Sequence, residues 1–398
     1  MKPSPLSALL FLAAAIAPAQ VCHAPAGAPA SAGQQGIQIP ITVIGGGAFV
    51  PVVLNDGNTY GFLLDTGFED SVLDPLTSAT LKLQPTQAHS EVGPGGRVRS
   101  SAVSSVSRTI GGVPLASSTL NSHDLSGFTP LYGHRLDGIL GYDFFHQFVV
   151  ILDYQHQRLT LCDPATFKPG NQKPIPLHLE THLPYIDTQI ESPTGKPVQA
   201  ALEIDSGKID PFSLNATFAR HNGLITDPSA LLGIKAVGET GPAHAWIART
   251  RWLSFGNVFV TNPVMSVVEE DADRAGQIGY GVLRRFIVTF DYPARLAWFE
   301  PTAIVNDPYE FDHAGLILGA SGIDFTGLKA FMVIGGTPAS IAGIRDGDEI
   351  LKINNHPASA FTLDTARAFF EQATGPQRLT IRRSNSTLEL TIDCRRLL

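Results

Sequence analysis

A mainly β chain, built from two repeated β units followed by a smaller α+β unit, is what the 398-residue sequence predicts. Three observations predict it. The length exceeds one ordinary hydrophobic core and calls for two or three domains. With 43% hydrophobic and only 16% charged residues, 38 Gly and 29 Pro, the chain reads as many short strands and turns rather than long charged helices. A set of short motifs also recurs in two stretches with matched spacing.

In chain order, Met1-Lys2 precedes an apolar run from Leu6 to Ile16 and then Ala17-Pro18-Ala19. A positive start, a short apolar core and a small-residue cleavage site make a secretory signal, and the expected signal peptide is 1–23. The run falls short of the roughly 18 apolar residues of a membrane helix. The expectation is an exported protein, periplasmic or extracellular, with no stable membrane span. Cys22 lacks the leucine-plus-small-residue context of a lipoprotein signal, so lipid anchoring through it is disfavoured. Residues 24–38 are almost all Ala, Gly, Pro, Ser and Gln, a flexible leader, with order expected from about Ile39. Short β-branched runs then fill 39–164 and 179–303, separated by a Pro- and Lys-rich linker over 165–178, and a last unit covers 310–398.

The repeat carries the chemistry. The first unit has Asp65-Thr66-Gly67, Ile139-Leu140-Gly141 and then Phe148 to Tyr154; the second has Asp205-Ser206-Gly207, Gln277-Ile278-Gly279 and then Phe286 to Tyr292. The motif aspartate precedes the later glycine by 76 residues in one unit and 74 in the other, and the Asp-Tyr pair by 88 and 86. One Asp-Thr/Ser-Gly is a common turn, because Asp, Ser and Gly favour turns for local reasons. Two in matched register are not explained that way.

On these motifs, residues 39 to 301 resemble the pepsin/retropepsin aspartic peptidases, whose two lobes each carry an apolar strand, an Asp-Thr/Ser-Gly turn and an apolar-apolar-Gly motif. The resemblance implies two pseudo-symmetric β lobes, Asp65 and Asp205 as a catalytic dyad, and Thr66, Gly67, Ser206 and Gly207 as its support. The two hydroxyl residues would bond across the lobe interface. It further implies an endopeptidase acting on peptide or protein substrates as a monomer, without a cofactor. Two carboxyls sharing one water keep a single proton, so one acts as base and the other as acid. Departures are visible. Pepsin-like enzymes follow the motif with Ser or Thr, whereas Phe68 and Lys208 stand here, and Gln277 breaks the apolar-apolar-Gly pattern. Lys208 is expected to pair with Glu203 or Asp210. The hairpin candidates turn at Gly93 to Gly96 and Val237 to Gly241; Trp246 and Trp252, flanking the second, are expected in the sheet, and no Tyr or Trp occurs between Thr77 and Leu131. Asp153 and Asp291 follow apolar strands directly and are read as strand-end turns outside the site.

The last unit contains Gly336-Thr337-Pro338 through Asp346-Gly347-Asp348 to Ile353-Asn354-Asn355, which resembles the core signature of a PDZ domain. Such domains add a ligand strand to a sheet edge and capture its terminal carboxylate with backbone amides. The resemblance places a site for protein C-termini at Ala314, Gly315, Leu316 and Ile317, through which the unit would recruit or gate peptide substrates. Thr362 to Ala373 reads as the groove helix, with Thr362 as N-cap and Leu363 and Phe370 on its inner face.

A net charge of −8 without a basic run excludes nucleic acid as a natural partner. The 12 His and 3 Cys form no ligand-spaced cluster, so no metal is expected, and the sequence alone leaves the pairing of Cys162 and Cys394 open. The competing reading is a non-catalytic exported scaffold that binds peptides on the same fold.

Overall fold

The computed structural model describes residues 20–28, 36–86, 89–93, 96–116, 119–225, 231–238, 241–269 and 274–398. The expected signal sequence up to residue 19, and the tips of both hairpin candidates at 94–95 and 239–240, lie outside the described residues.

The chain is mainly β. Among the described residues, one ten-stranded sheet spans the first unit and another the second. In the first, Gly47–Val53 and Thr59–Leu64 pair antiparallel, and Gly138–Leu140 lies parallel to Thr59–Leu64, with Leu140 beside Leu64. In the second, Leu183–Glu191 and Pro197–Ile204 pair antiparallel, and Gly276–Ile278 lies parallel to Pro197–Ile204, with Ile278 beside Ile204. Each motif aspartate is the first residue beyond its strand, and its N–H donates to the neighbouring strand's carbonyl: Asp65 to Leu140 at 3.0 Å, Asp205 to Ile278 at 2.9 Å. Glycine at 141 and 279 is a steric demand. A Cβ at 141 would stand 2.7 Å from the Asp70 carbonyl oxygen, and one at 279 would stand 2.3 Å from that of Asp210.

The apolar strands ending in Asp-Tyr join the two units. Val149–Asp153 pairs antiparallel with Phe286–Asp291, Val149 opposite Asp291 and Asp153 opposite Ile287, inside a six-stranded sheet. Phe145, Val150, Leu152, Val288 and Phe290 are fully buried beneath it, continuous with Phe62, Leu64, Leu202 and Ile204 from the two larger sheets. Truncating one of these phenylalanines to Ala should cost about 3–5 kcal/mol. Asp153 and Asp291 behave as strand-end groups: Asp153 accepts from the N–H of His156 at 3.0 Å and Asp291 from that of Ala294 at 3.0 Å.

Several boundaries differ from expectation. Order begins before Ile39: Ile37–Pro40 is the edge strand of the six-stranded sheet, and Val21 bridges Lys168. Cys22 is bonded to Cys162, the last residue of Arg158–Cys162, so a cut after residue 23 would discard half of a disulfide. Its sulfur is thereby closed to lipidation. Cys394 is a buried free thiol, its proton affinity pushed up to about 12 by burial and the Asp312 and Asp393 charges. The 165–178 stretch is structured in part, since Ile175–Pro176 pairs with Leu296–Pro301.

The C-terminal unit has its own core of Leu316, Leu318, Ala330, Ile350, Phe370 and Ile381. Strand Leu316–Ser321 is the edge of its sheet, and helix Leu363–Gln372 packs beside it behind a capping box between Thr362 and Thr365. Buried Arg285 fixes the connection to this unit. It donates to the carbonyls of Ile304 (2.9 Å), Asp307 (2.6 Å) and Pro308 (3.2 Å), and its guanidinium lies 3.7 Å from the centre of the Tyr309 ring.

Candidate active site

The two Asp-Thr/Ser-Gly turns meet face to face. The Thr66 hydroxyl donates to the Ile204 carbonyl at 2.6 Å and accepts from the Ser206 N–H at 2.9 Å. The Ser206 hydroxyl donates to the Leu64 carbonyl at 2.8 Å and accepts from the Thr66 N–H at 3.0 Å. Both residues are buried, so each hydroxyl needs these partners, and the four bonds lock the strand ends together. The cross-bonds expected of Thr66 and Ser206 are therefore present and reciprocal.

That lock sets the carboxyls against each other's turn. A Cβ on Gly67 would stand 2.8 Å from the Asp205 carboxyl carbon, and one on Gly207 would stand 2.1 Å from Asp65 Oδ2. Only glycine admits that approach, and each also supplies an amide: Gly67 N–H donates to Asp65 Oδ1 at 2.8 Å, Gly207 N–H to Asp205 Oδ1 at 3.0 Å. Asp65 is buried and Asp205 half-buried.

Lys208 contributes to Asp205 only through its backbone, whose N–H donates to Oδ1 at 3.0 Å, while its ammonium pairs with Asp210 at 3.7 Å. Two further side chains reach the dyad. The hydroxyl of buried Tyr132 donates to the Gly207 carbonyl. Burial, then the Asp65 and Asp205 charges, hold its proton on well above the usual phenol range. It lies one residue beyond the Tyr- and Trp-free window, on the short helix Thr129–Tyr132. Gln277, the departure from the second unit's glycine motif, donates from Nε2 to Asp205 Oδ2 at 2.6 Å. Behind it Glu203 is fully buried and accepts from Arg274 at 2.8 Å. Burial first and the Asp205 charge second push the Glu203 carboxyl up to about 7, against the pull of Arg274. A polar side chain in an otherwise apolar motif was the only sequence signal for Gln277; Tyr132 left none.

The expected C-terminus site is largely filled by this chain's own groups. The Ala314 and Leu316 N–H groups, expected to capture a carboxylate, donate to Asp312 Oδ1 at 2.8 and 2.9 Å. Burial pushes that Asp312 carboxyl up to about 7, and its bonds to the Leu316, Ala314 and Gly315 amides oppose the shift. Ala314, Leu316, Leu363 and Phe370 are buried in the unit's core, and Ile317 is half-buried. Further along the groove, Arg367 donates to the Leu318 carbonyl of the edge strand at 2.8 Å and to the Leu131 carbonyl at 2.7 Å. Asp364 accepts from the Gly45 N–H at 3.0 Å. A Cβ on Gly133 would stand 3.2 Å from Leu363 and 3.4 Å from Ala320, so the end of helix Thr129–Tyr132 lies against both walls of the groove.

Among the described residues no cluster of His, Cys, Asp and Glu could hold a metal ion, and no helix is long and apolar enough to cross a membrane. Two family models match the chain: an aspartyl protease model over residues 50–144 and a PDZ domain model over residues 327–382. No curated protein matches it. With the geometry above, the chain carries an aspartyl protease domain in its first unit and a PDZ domain near its C-terminus.

Proposed function

We propose that the chain is an exported, two-lobed aspartic endopeptidase of the pepsin/retropepsin type, with Asp65 and Asp205 as its catalytic carboxyls and its PDZ domain as a gate. The observation that carries this reading is the approach of each carboxyl to the other motif's glycine, held by the reciprocal Thr66 and Ser206 bonds. In the reaction the ionised carboxylate takes a proton from water as the water oxygen bonds to the peptide carbonyl carbon. The protonated partner gives its proton to the carbonyl oxygen, and a neutral gem-diol results. The protonated base then returns a proton to the amide nitrogen while its partner takes one from the diol, and the C–N bond breaks. No covalent enzyme intermediate and no cofactor is involved.

Both carboxyls come from one chain, which supports a monomeric enzyme. The Cys22–Cys162 disulfide supports export, because disulfides persist in oxidising compartments, and a signal sequence cleaved upstream of Cys22 would retain it. Gating is favoured over recruitment by the contacts of helix Thr129–Tyr132, which lies against the groove walls while its Tyr132 holds the dyad turn at Gly207. A protein C-terminus entering the groove would have to displace it.

The test is pepstatin-sensitive cleavage of a peptide library from roughly pH 3 to pH 8, bracketing the dyad's titration. Asp65→Asn and Asp205→Asn should each abolish turnover with the fold intact. Wild-type turnover in either variant removes that residue from the dyad. Peptide binding without turnover at any pH would leave the non-catalytic scaffold.

A further inference from the structure

We propose that Gln277 is a positioning residue of the dyad: its side-chain amide holds Asp205 in its ionised, base-acting form. This rests on the peptidase reading above. Asp205 accepts three N–H bonds, from Gly207 (3.0 Å) and Lys208 (3.0 Å) on Oδ1 and from Gln277 (2.6 Å) on Oδ2. Each donor is an amide that cannot lose a proton in this range, so all three favour the charged form. Gln277 is the side chain among them.

The placement of Gln277 is enforced. Glu203 and Gln277 are register partners in the parallel pair, and Glu203 lies two residues before Asp205, so all three side chains share one face. On the opposite face Ile204 and Ile278 are fully buried. The Gln277 amide nitrogen also lies 3.5 Å from Glu203 Oε1, so its NH2 group faces both carboxyls. Arg274, at 2.8 Å from Glu203 Oε2, holds that second carboxyl behind the amide. The other titratable groups around the dyad are Asp65 itself, the Lys208 ammonium directed to Asp210, and the buried phenols of Tyr132, Tyr154 and Tyr292, each held protonated by burial.

Gln277→Leu keeps the volume and removes the donor. A lost hydrogen bond to a charged group should move the acid limb of kcat/KM upward by about one pH unit, a tenfold loss of kcat/KM on that limb, with KM changed less than about threefold. Gln277→Glu should work near the wild-type level where the introduced carboxyl carries a proton and can donate, and fail as pH rises and that carboxyl ionises. A merely structural role would lower activity at every pH alike. An acid limb in Gln277→Leu that superimposes on the wild type overturns the proposal. A second measurement does not depend on turnover. In carbon-13 carboxyl NMR, the Asp205 carboxyl left in Asp65→Asn should stay ionised to lower pH with Gln277 than with Gln277→Leu or Gln277→Asn; superimposed titrations overturn the proposal. If the wild type cleaves no peptide, the peptidase reading fails and this titration still decides how Gln277 biases Asp205.

Discussion

Arg367 donates to the carbonyl of Leu131 across 2.7 Å, and the next residue along, Tyr132, donates to the Gly207 carbonyl in the dyad turn. The groove helix of the PDZ domain and the candidate catalytic turn are thus two hydrogen bonds apart, through one short helix. Arg367→Ala should free that helix and the Leu318 carbonyl. A labelled peptide with an apolar C-terminus should bind the variant severalfold tighter than the wild type by fluorescence anisotropy, with a stability loss of about 1–3 kcal/mol for the unpaired carbonyls. Unchanged or weaker binding would argue against gating.

Thr66→Val removes one donor and one acceptor from the lock between the turns. A loss of about 2–4 kcal/mol in urea unfolding is expected, since two buried partners, the Ile204 carbonyl and the Ser206 N–H, go unsatisfied. Ser206→Ala should cost less when combined with Thr66→Val than it does alone, because the two hydroxyls serve one network. Additive losses would show that the four bonds act independently.

The Cys22–Cys162 bond closes a sequence separation of 140. Cys22→Ser, or reduction, should lower stability by about 2–5 kcal/mol and free the segment around Val21 from Lys168. Cys394→Ser, at the free thiol, should leave the reduction-dependent loss in place. Mass spectrometry under non-reducing digestion checks the pairing directly.

Glu203 binds its proton more tightly folded than unfolded, being pushed from 4.5 up to about 7, so between those values the folded state holds the extra proton. Stability should therefore be greatest below about pH 4.5 as far as this group is concerned, and fall as pH rises toward 7, by at most about 1.4 kcal/mol per pH unit. Asp312, raised from 3.8 to about 7, acts in the same direction. Glu203→Gln should flatten the decline in thermal melting midpoint across that window. A decline as steep as the wild type's would place the extra proton elsewhere.

Much of the candidate site was legible in the sequence because its signals are local. Asp65-Thr66-Gly67 and Asp205-Ser206-Gly207 follow apolar strands at matched spacing, and the same spacing anticipated the strands that end in Leu140 and Ile278. The mainly β architecture, the Thr362 cap of the groove helix and the PDZ domain were equally legible, since turn residues, caps and alternating burial are written over a few consecutive positions. The expected pairing of Lys208 with an acidic neighbour was narrowed to two partners, and the fold selected Asp210 because Glu203 is buried against Arg274.

What the sequence by itself determined is that short strands and turns dominate, that Thr362 caps the groove helix, and that two like turns each present an aspartate. Only the tertiary structure decided what those turns touch. Tyr132 and Gly207 are separated by 75 residues and Leu131 and Arg367 by 236, and no local pattern links positions so far apart. The repeat brought the Gln277 motif beside Asp205, but not the bond from its amide to Oδ2. The partner of Cys162 was undecidable for the same reason: a disulfide is selected by where two backbones approach, and that approach is made by the packed sheets. The PDZ amides show the limit most directly. Their loop was readable as a carboxylate site, but whether a ligand or this chain's own Asp312 fills it depends on which acceptor folding brings within hydrogen-bond reach, and folding brings Asp312.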